Sequence, residues 1–76
     1  MSTEMQTVDA RGMNCPMPIL QLKKTVKTLE AGAVVRLLST DPGSVKDVEA
    51  FCRQTGCDLL STANDGDAHV FDIRKN

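Results

Sequence analysis

The stretch VVRLLST, residues 34–40, is the clearest strand signal in the chain and the place from which the fold can be assembled. It is apolar and rich in β-branched residues, and it lies between Gly32 and the turn-forming run DPG at residues 41–43. A run of this kind, bounded by turn residues on both sides, predicts a strand in the centre of a sheet.

Amphipathic helices are predicted on both sides of this strand. The first is expected to begin at Pro16 and to end before Gly32, because apolar residues recur every three or four positions, namely Ile19, Leu22, Val26 and Leu29. The second is expected to begin near Ser44, with Asp47 completing a variant capping box, and to end at Gly56. Its apolar face comprises Val45, Val48, Phe51, Cys52 and Thr55.

Three weaker strand signals complete the pattern. Residues 6–10 read as a short strand after a loose tail at residues 1–5, and residues 58–63 and 68–74 read as two strands joined by the hairpin signal NDGD. The predicted order is βαβαββ. It implies an α/β (α+β) fold, a two-layer sandwich with both helices on one face of a four-stranded mixed sheet and the other face rather open. The order of strands within the sheet is left undetermined.

Length and composition restrict the class of protein. With 76 residues, the chain is expected to form one domain over residues 1–76, because a core needs most of this length. The net charge of −1 provides no overall field to attract nucleic acid or an anionic membrane. There is no apolar run of about 20 residues and no signal-peptide pattern, so a cytoplasmic location without membrane attachment is expected. Three cysteines, an odd number, fit free thiols in a reducing compartment.

Cys15 is the strongest candidate for chemistry. It is followed by Pro16 and Pro18, which are expected to occupy the first and about the third position of the helix, where a missing amide costs little. The prolines would stiffen the segment and hold the thiol at the helix start. The partial positive charge there favours a thiolate, although the prolines remove amide donors, so mild activation is expected. The alternative is a small apolar side chain packed at a helix end.

The neighbours of Cys15 restrict the reaction. The segment RGMNCPMPIL, residues 11–20, contains no acid or base, and there is no cysteine two residues further on for dithiol exchange. The prediction is a lone, presented thiol that accepts a group and passes it on.

Residues 8–18, VDARGMNCPMP, resemble the signature of the TusA-like (SirA-like) sulfur-carrier family, small cytoplasmic proteins marked by Cys-Pro-x-Pro. The resemblance covers nearly the whole chain. The agreeing residues are Asp9, Ala10, Gly12, Cys15, Pro16 and Pro18 in the motif, and Lys24, Thr25, Asp41, Pro42, Asp47, Phe51 and Cys52 beyond it.

The resemblance implies the same βαβαββ sandwich and a sulfurtransferase-type carrier. Cys15 would hold sulfur as a persulfide, received from a cysteine desulfurase or rhodanese-like donor and handed to an acceptor protein, with Gly12, Pro16, Met17 and Pro18 as supporting motif residues. No metal or organic cofactor is implied. Family members serve tRNA thiolation, molybdenum cofactor maturation or oxidation of reduced sulfur compounds. Met17 stands where the member serving the tRNA relay has Glu, which argues against that assignment.

The remaining polar and sulfur-containing candidates are assigned structural roles. Cys52 shares the apolar face of the second helix and is predicted to be buried. Cys57, after Gly56, is predicted to be a half-exposed loop residue, with a role as a resolving thiol for Cys15 as the less favoured alternative. His69 is predicted on the solvent side of the last strand, opposite to Val70. The spacing of Cys52, Cys57 and His69 matches zinc sites poorly, so no metal site is expected.

A basic face of the first helix is the candidate docking surface for a protein partner. Leu20 lies among lysines on the side away from the apolar stripe, and the predicted set is Arg11, Leu20, Lys23, Lys24 and Lys27. The alternative to a carrier is a non-catalytic regulatory or nucleic-acid-binding module. Direct nucleic-acid binding is disfavoured because aromatic content is only 3%, which leaves no platform for stacking bases.

Overall fold

A computed structural model of the chain describes residues 5–14 and 16–76. The predicted βαβαββ order is confirmed. The elements are β1 Met5–Ala10, α1 Met17–Lys27, β2 Val34–Ser39, α2 Ser44–Thr55, β3 Asp58–Asp65 and β4 Ala68–Arg74. Met5, predicted to be in the tail, is the first residue of β1, and it pairs with Val34.

The four strands form one mixed sheet in the order β1-β2-β4-β3. β1 runs parallel to β2, and β4 runs antiparallel to both of its neighbours. β3 and β4 form a hairpin whose two-residue turn contains Gly66 at φ +62°. A short turn of this kind takes Gly readily because Gly adopts positive φ without strain. In this strand order β2, from the stretch at residues 34–40, is one of the two central strands, as predicted.

Both helices pack on one face of the sheet, and the core lies between the two layers. Alternate residues of the central strands point to the helices and are buried, among them Leu37 and Phe71. Leu22 of α1 and Val48 of α2 are fully buried against them. The predicted apolar stripes are confirmed at Leu22 and Val26 of α1 and at Val48, Phe51 and Cys52 of α2, whereas Thr55 is exposed and Leu29 lies beyond the end of α1.

The opposite face of the sheet is not covered by a helix, and an ion pair crosses its two central strands. Arg36 of β2 donates two hydrogen bonds to Asp72 of β4, with Nε–Oδ1 at 2.8 Å and Nη2–Oδ2 at 3.0 Å. Ser61 of β3 donates a third bond to the same carboxylate at 3.1 Å. Hydrogen bonding to Arg36 lowers the pKa of Asp72, so this cross-strand network keeps the carboxylate ionised.

The end of α1 and the start of α2 differ from the prediction. α1 ends at Lys27 rather than just before Gly32, which lies in the following turn at φ +92°. The capping box predicted at Ser44 is wrong, because Gly43 is the N-cap and Ser44, the first helical residue, turns its hydroxyl inward to pair with that of Ser39. The carboxylate of Asp41 instead accepts the amide of Gly43 at 3.2 Å, in an Asx turn that leads into the helix.

Neither helix in the described part of the chain has the length and apolar character needed to cross a membrane.

Candidate functional site

Cys15, the predicted reactive thiol, lies outside the described residues. The chain on both sides of it is described, and Asn14 and Pro16 are both exposed. The site is therefore defined by what holds the loop before position 15 and the helix after it.

The loop before Cys15 begins where β1 ends at the fully buried Ala10. Gly12 has φ +82°, and its amide donates a hydrogen bond to Thr40 Oγ1 at 2.9 Å. The amide of Met13 donates to the carbonyl of Ala10 at 3.1 Å, and the Met13 side chain packs against the core. Thr40 was missed by sequence reasoning, since a contact between residues 28 positions apart has no signature in the sequence.

Arg11 is held at the end of β1 by Asp9. The guanidinium donates two hydrogen bonds to the carboxylate, with Nε–Oδ1 and Nη2–Oδ2 both at 2.8 Å. The hydrogen bonds from Arg11 lower the pKa of Asp9 to about 2, so the pair stays ionised throughout the physiological range. The positive charge of Arg11, a predicted docking residue, is thus largely balanced by its own neighbour.

The helix after Cys15 begins one residue later than predicted. The carbonyl of Pro16 accepts the first helical bond, from the Leu20 amide at 3.1 Å, which makes Pro16 the N-cap and places Pro18 at the second helical position. The Met17 amide donates a hydrogen bond to the Asn14 carbonyl at 2.8 Å. Two prolines and one occupied amide leave this helix start few amide groups to stabilise an anion, and the mild activation expected of Cys15 stays a prediction.

The predicted basic face is exposed to solvent. Leu20 is 44% exposed, and Lys23, Lys24 and Lys27 are all exposed around it. The structure adds Met17, 42% exposed, one helical turn before Leu20. These two side chains form an apolar centre with a basic rim, immediately after position 15.

A groove of about 200 Å³ separates α1 from α2 beside this face. Pro16, Ile19 and Lys23 line one wall, and the α2 wall is formed by Asp47, Ala50, Phe51 and Gln54. The groove therefore begins at the residue that follows Cys15 and is bordered by one lysine of the basic face.

The two other thiols are buried. Cys52 is 8% exposed, as predicted, and burial raises the pKa of its thiol to about 11, which keeps it in the unreactive protonated form. Cys57 was predicted to be half-exposed, and this is wrong, because it too is 8% exposed and belongs to the core cluster. Gly56, at φ +79°, ends α2 and turns the chain back toward the sheet, which brings Cys57 inward.

His69 does not lie on the solvent side of β4, and that prediction is wrong. It is opposite Val70, as predicted, but it shares the helix-facing side of β4 with Phe71, its ring 6.3 Å from the Phe71 ring. Its Nδ1 lies 3.1 Å from Asn64 Oδ1. His69 is half-buried, because its side chain is on the helix-facing side of β4 and that of Val70 is on the open face.

Gly12→Ala should lower the free energy of unfolding by about 1 kcal/mol, because a Cβ disfavours positive φ. Within residues 5–14 and 16–76, and apart from Gly12 and its two neighbours in the chain, no atom lies within 4 Å of the position that the new Cβ would take, so the cost is conformational and not steric. Gly43→Ala is the matched control, since Gly43 has φ −72° and its Cβ would meet Asp41 only at ordinary contact distance. Urea unfolding of both variants measures the difference, and equal stability would contradict the strain assigned to Gly12.

Comparison with known proteins identifies the family. The family model described as "Sulfurtransferase TusA" matches residues 6–75. The sulfur carrier protein TusA of Allochromatium vinosum is 46% identical over 71 residues, which is 93% of each chain, and that of Pseudomonas entomophila is 39% identical over 91% of this chain and 86% of the relative. The crystal structure of a SirA-like protein from Desulfitobacterium hafniense superposes with a TM-score of 0.80 and 26% identity, covering 93% of this chain and 96% of the other. The chain belongs to the TusA family, as its Cys-Pro-x-Pro segment led us to expect.

Proposed function

We propose that this chain is a sulfur carrier that holds a persulfide on Cys15, takes the sulfur from a cysteine desulfurase or rhodanese-like protein and passes it to an acceptor protein in the cytoplasm. Family membership supports the carrier role. The observation that carries the choice of residue is that the loop and the helix on either side of position 15 are fixed, while both flanking residues, Asn14 and Pro16, are exposed. Cys52 and Cys57 are buried and unsuited to the task.

The proposed transfer is an exchange between sulfur atoms. The Cys15 thiolate attacks the terminal sulfur of the donor's persulfide, a new S–S bond forms on Cys15, and the S–S bond of the donor breaks to release its cysteine as a thiolate. The proton lost by the Cys15 thiol balances the proton taken up by the released cysteine. One S–S bond replaces another, so no external oxidant or reductant is needed, and delivery to the acceptor repeats the exchange in the opposite sense.

A protein partner must supply what the carrier lacks. Residues 11–20 contain no carboxylate or imidazole that could donate or accept a proton, and a helix start with Pro16 as N-cap and Pro18 at the second position has few free amides to stabilise a thiolate. Holding the two sulfur atoms in contact is worth several kcal/mol by itself, since it removes the entropy of a bimolecular encounter. Specific transfer therefore depends on docking close to Cys15.

The basic face is the surface we assign to that docking. Met17 and Leu20 provide an apolar centre, with Lys23, Lys24 and Lys27 as a charged rim, and the first turn of α1 contains no acidic residue. Arg11, the remaining residue of the predicted set, is bonded to Asp9, whose side chain points to the opposite side of β1 from the buried Val8 and Ala10, so its charge should contribute less to this surface. A partner with an apolar contact and an acidic rim fits this arrangement.

Reversing charge on this face should slow transfer. We expect Lys23→Glu with Lys27→Glu to lower the rate of sulfur transfer from a desulfurase by roughly tenfold at low salt, with the difference shrinking as salt screens the charges. Alkylation of Cys15 by iodoacetamide should keep the parent rate. The matched control is Lys46→Glu with Arg53→Glu, two exposed basic residues of α2 outside the groove lining, which changes net charge equally. Equal slowing by both double variants would show that net charge matters and this face does not.

Binding to nucleic acid is the weaker alternative. The two aromatic rings of the phenylalanines, Phe51 and Phe71, are both buried in the core and are not available to stack on bases. The net charge of −1 gives no general attraction to phosphates.

Sulfur loading tests the proposed function. The protein is incubated with a cysteine desulfurase and cysteine, and mass spectrometry of the intact chain and its peptides is then recorded without reductant. We expect added sulfur on the peptide that contains Cys15. Sulfur found only on a peptide containing Cys52 or Cys57, or no added sulfur, would contradict the proposal.

A further inference from the structure

The hydrogen bond from the Gly12 amide to Thr40 Oγ1, 2.9 Å long, ties the loop before Cys15 to the end of the central strand β2. The other described hydrogen bonds of this loop are local, from Met13 to Ala10 and from Arg11 to Asp9, and its one further long-range contact is the non-directional packing of the Met13 side chain against the core. Thr40 thus connects a segment near the start of the chain to a strand that follows α1.

The base of this tether is rigid. Ser39, the residue before Thr40, is fully buried, and its hydroxyl pairs with that of Ser44 at the start of α2. Ser39 Oγ also accepts the amide of Asp41 at 3.2 Å, so the backbone on both sides of Thr40 is fixed to the α2 start. A side chain that positions a reactive group needs such support from packed neighbours.

Gly12 is the point at which the loop would otherwise swing. It has no side chain to pack, and its φ of +82° is only one of the many backbone conformations that are open to glycine. After position 15, the Met17 amide bonds to the Asn14 carbonyl, and this hydrogen bond is also local. Without Thr40, the loop leading to Cys15 would therefore keep only short-range hydrogen bonds among the described residues, together with the packing of the Met13 side chain against the core.

We propose that Thr40 is a positioning residue for sulfur transfer: its hydroxyl holds the Gly12 amide and so fixes the direction from which the Cys15 loop meets a docked partner. This inference rests on the function proposed for Cys15. A small reagent can approach a thiol from many directions, whereas a partner's persulfide arrives from one. The tether should therefore matter for transfer between proteins and not for reaction with small molecules.

The test compares three variants. Thr40→Val keeps the branched shape but lacks the hydroxyl, Thr40→Ser keeps the hydroxyl, and Thr28→Val is the control. Thr28 Oγ1 also makes one hydrogen bond, to the Thr25 carbonyl at 2.7 Å, but it lies at the other end of α1 from Cys15. The readouts are amide hydrogen exchange at Gly12, the rate of sulfur transfer from a desulfurase, and the rate of alkylation by iodoacetamide.

In Thr40→Val we expect faster exchange at Gly12 and transfer slowed about fivefold, the effect of losing one net hydrogen bond. Alkylation should be unchanged, Thr40→Ser should restore transfer, and Thr28→Val should transfer like the parent. Parent-like transfer in Thr40→Val, or failure of Thr40→Ser to restore it, overturns the role of Thr40. If the parent chain takes no sulfur on Cys15, the proposed function fails instead, so the two failures are distinguishable.

Discussion

Sulfur loading of the Cys15→Ser variant is expected to be zero. A serine hydroxyl cannot replace the Cys15 thiolate in its attack on the donor's persulfide. Neither of the two described thiols is placed to take over this role. Cys52 is buried with its pKa raised to about 11, and Cys57 is equally buried in the core. The expected loss is therefore complete rather than partial, as measured by intact mass after incubation with a desulfurase and cysteine.

The matched controls remove the two buried thiols one at a time. Cys52→Ala and Cys57→Ala are preferable to serine variants because they add no hydroxyl to the core, where an unpaired polar group costs stability. Both should load sulfur on Cys15 as the parent does, once unfolding in urea has shown that they are folded. Residual loading in Cys15→Ser that disappears when Cys57→Ala is added would contradict this, since it would show that the core opens enough for Cys57 to react.

The layers of this fold could be predicted because burial follows the periodicity of single elements. Leu22 and Val26 recur at helical spacing, and Leu37 lies two residues from Val35 in a strand, so each pattern shows which side faces the core. Membership of the family could be predicted from the Cys-Pro-x-Pro segment. The order of the strands could not, because it depends on which edges pair and not on any one segment.

The wrong predictions concern a residue just after the end of a helix and a strand residue whose side of the sheet had to be assigned. Cys57 follows a helix that ends with the left-handed Gly56, and the direction of the next side chain depends on that turn. His69 was placed on the wrong face because its neighbours in β4 read as apolar on both sides, whereas pairing with Ser39 decides which face is inside. The contact between Gly12 and Thr40 is likewise tertiary, and residue spacing carries no trace of it.

Two leucines of α1, two positions apart, should separate stability from partner recognition. Leu22 is fully buried between the helix and the sheet, so Leu22→Ala is expected to lower the free energy of unfolding by about 2 to 5 kcal/mol. A chain of 76 residues has a total of about 4 to 11 kcal/mol at the usual 0.05 to 0.15 kcal/mol per residue. Loss of this one side chain is therefore expected to remove a large share of the free energy of unfolding, as urea titration would measure.

Leu20→Ala is the same substitution in the same helix with the opposite expectation. Leu20 is 44% exposed, so its truncation should change the free energy of unfolding by no more than about 0.5 kcal/mol. Because Leu20 is at the centre of the assigned docking surface, transfer from a desulfurase should nevertheless slow, and alkylation of Cys15 should not. A Leu20→Ala variant that transfers sulfur at the parent rate would remove the apolar centre from the docking surface and leave only the lysines. A Leu22→Ala variant as stable as the parent would mean that the core between α1 and the sheet is not packed as described.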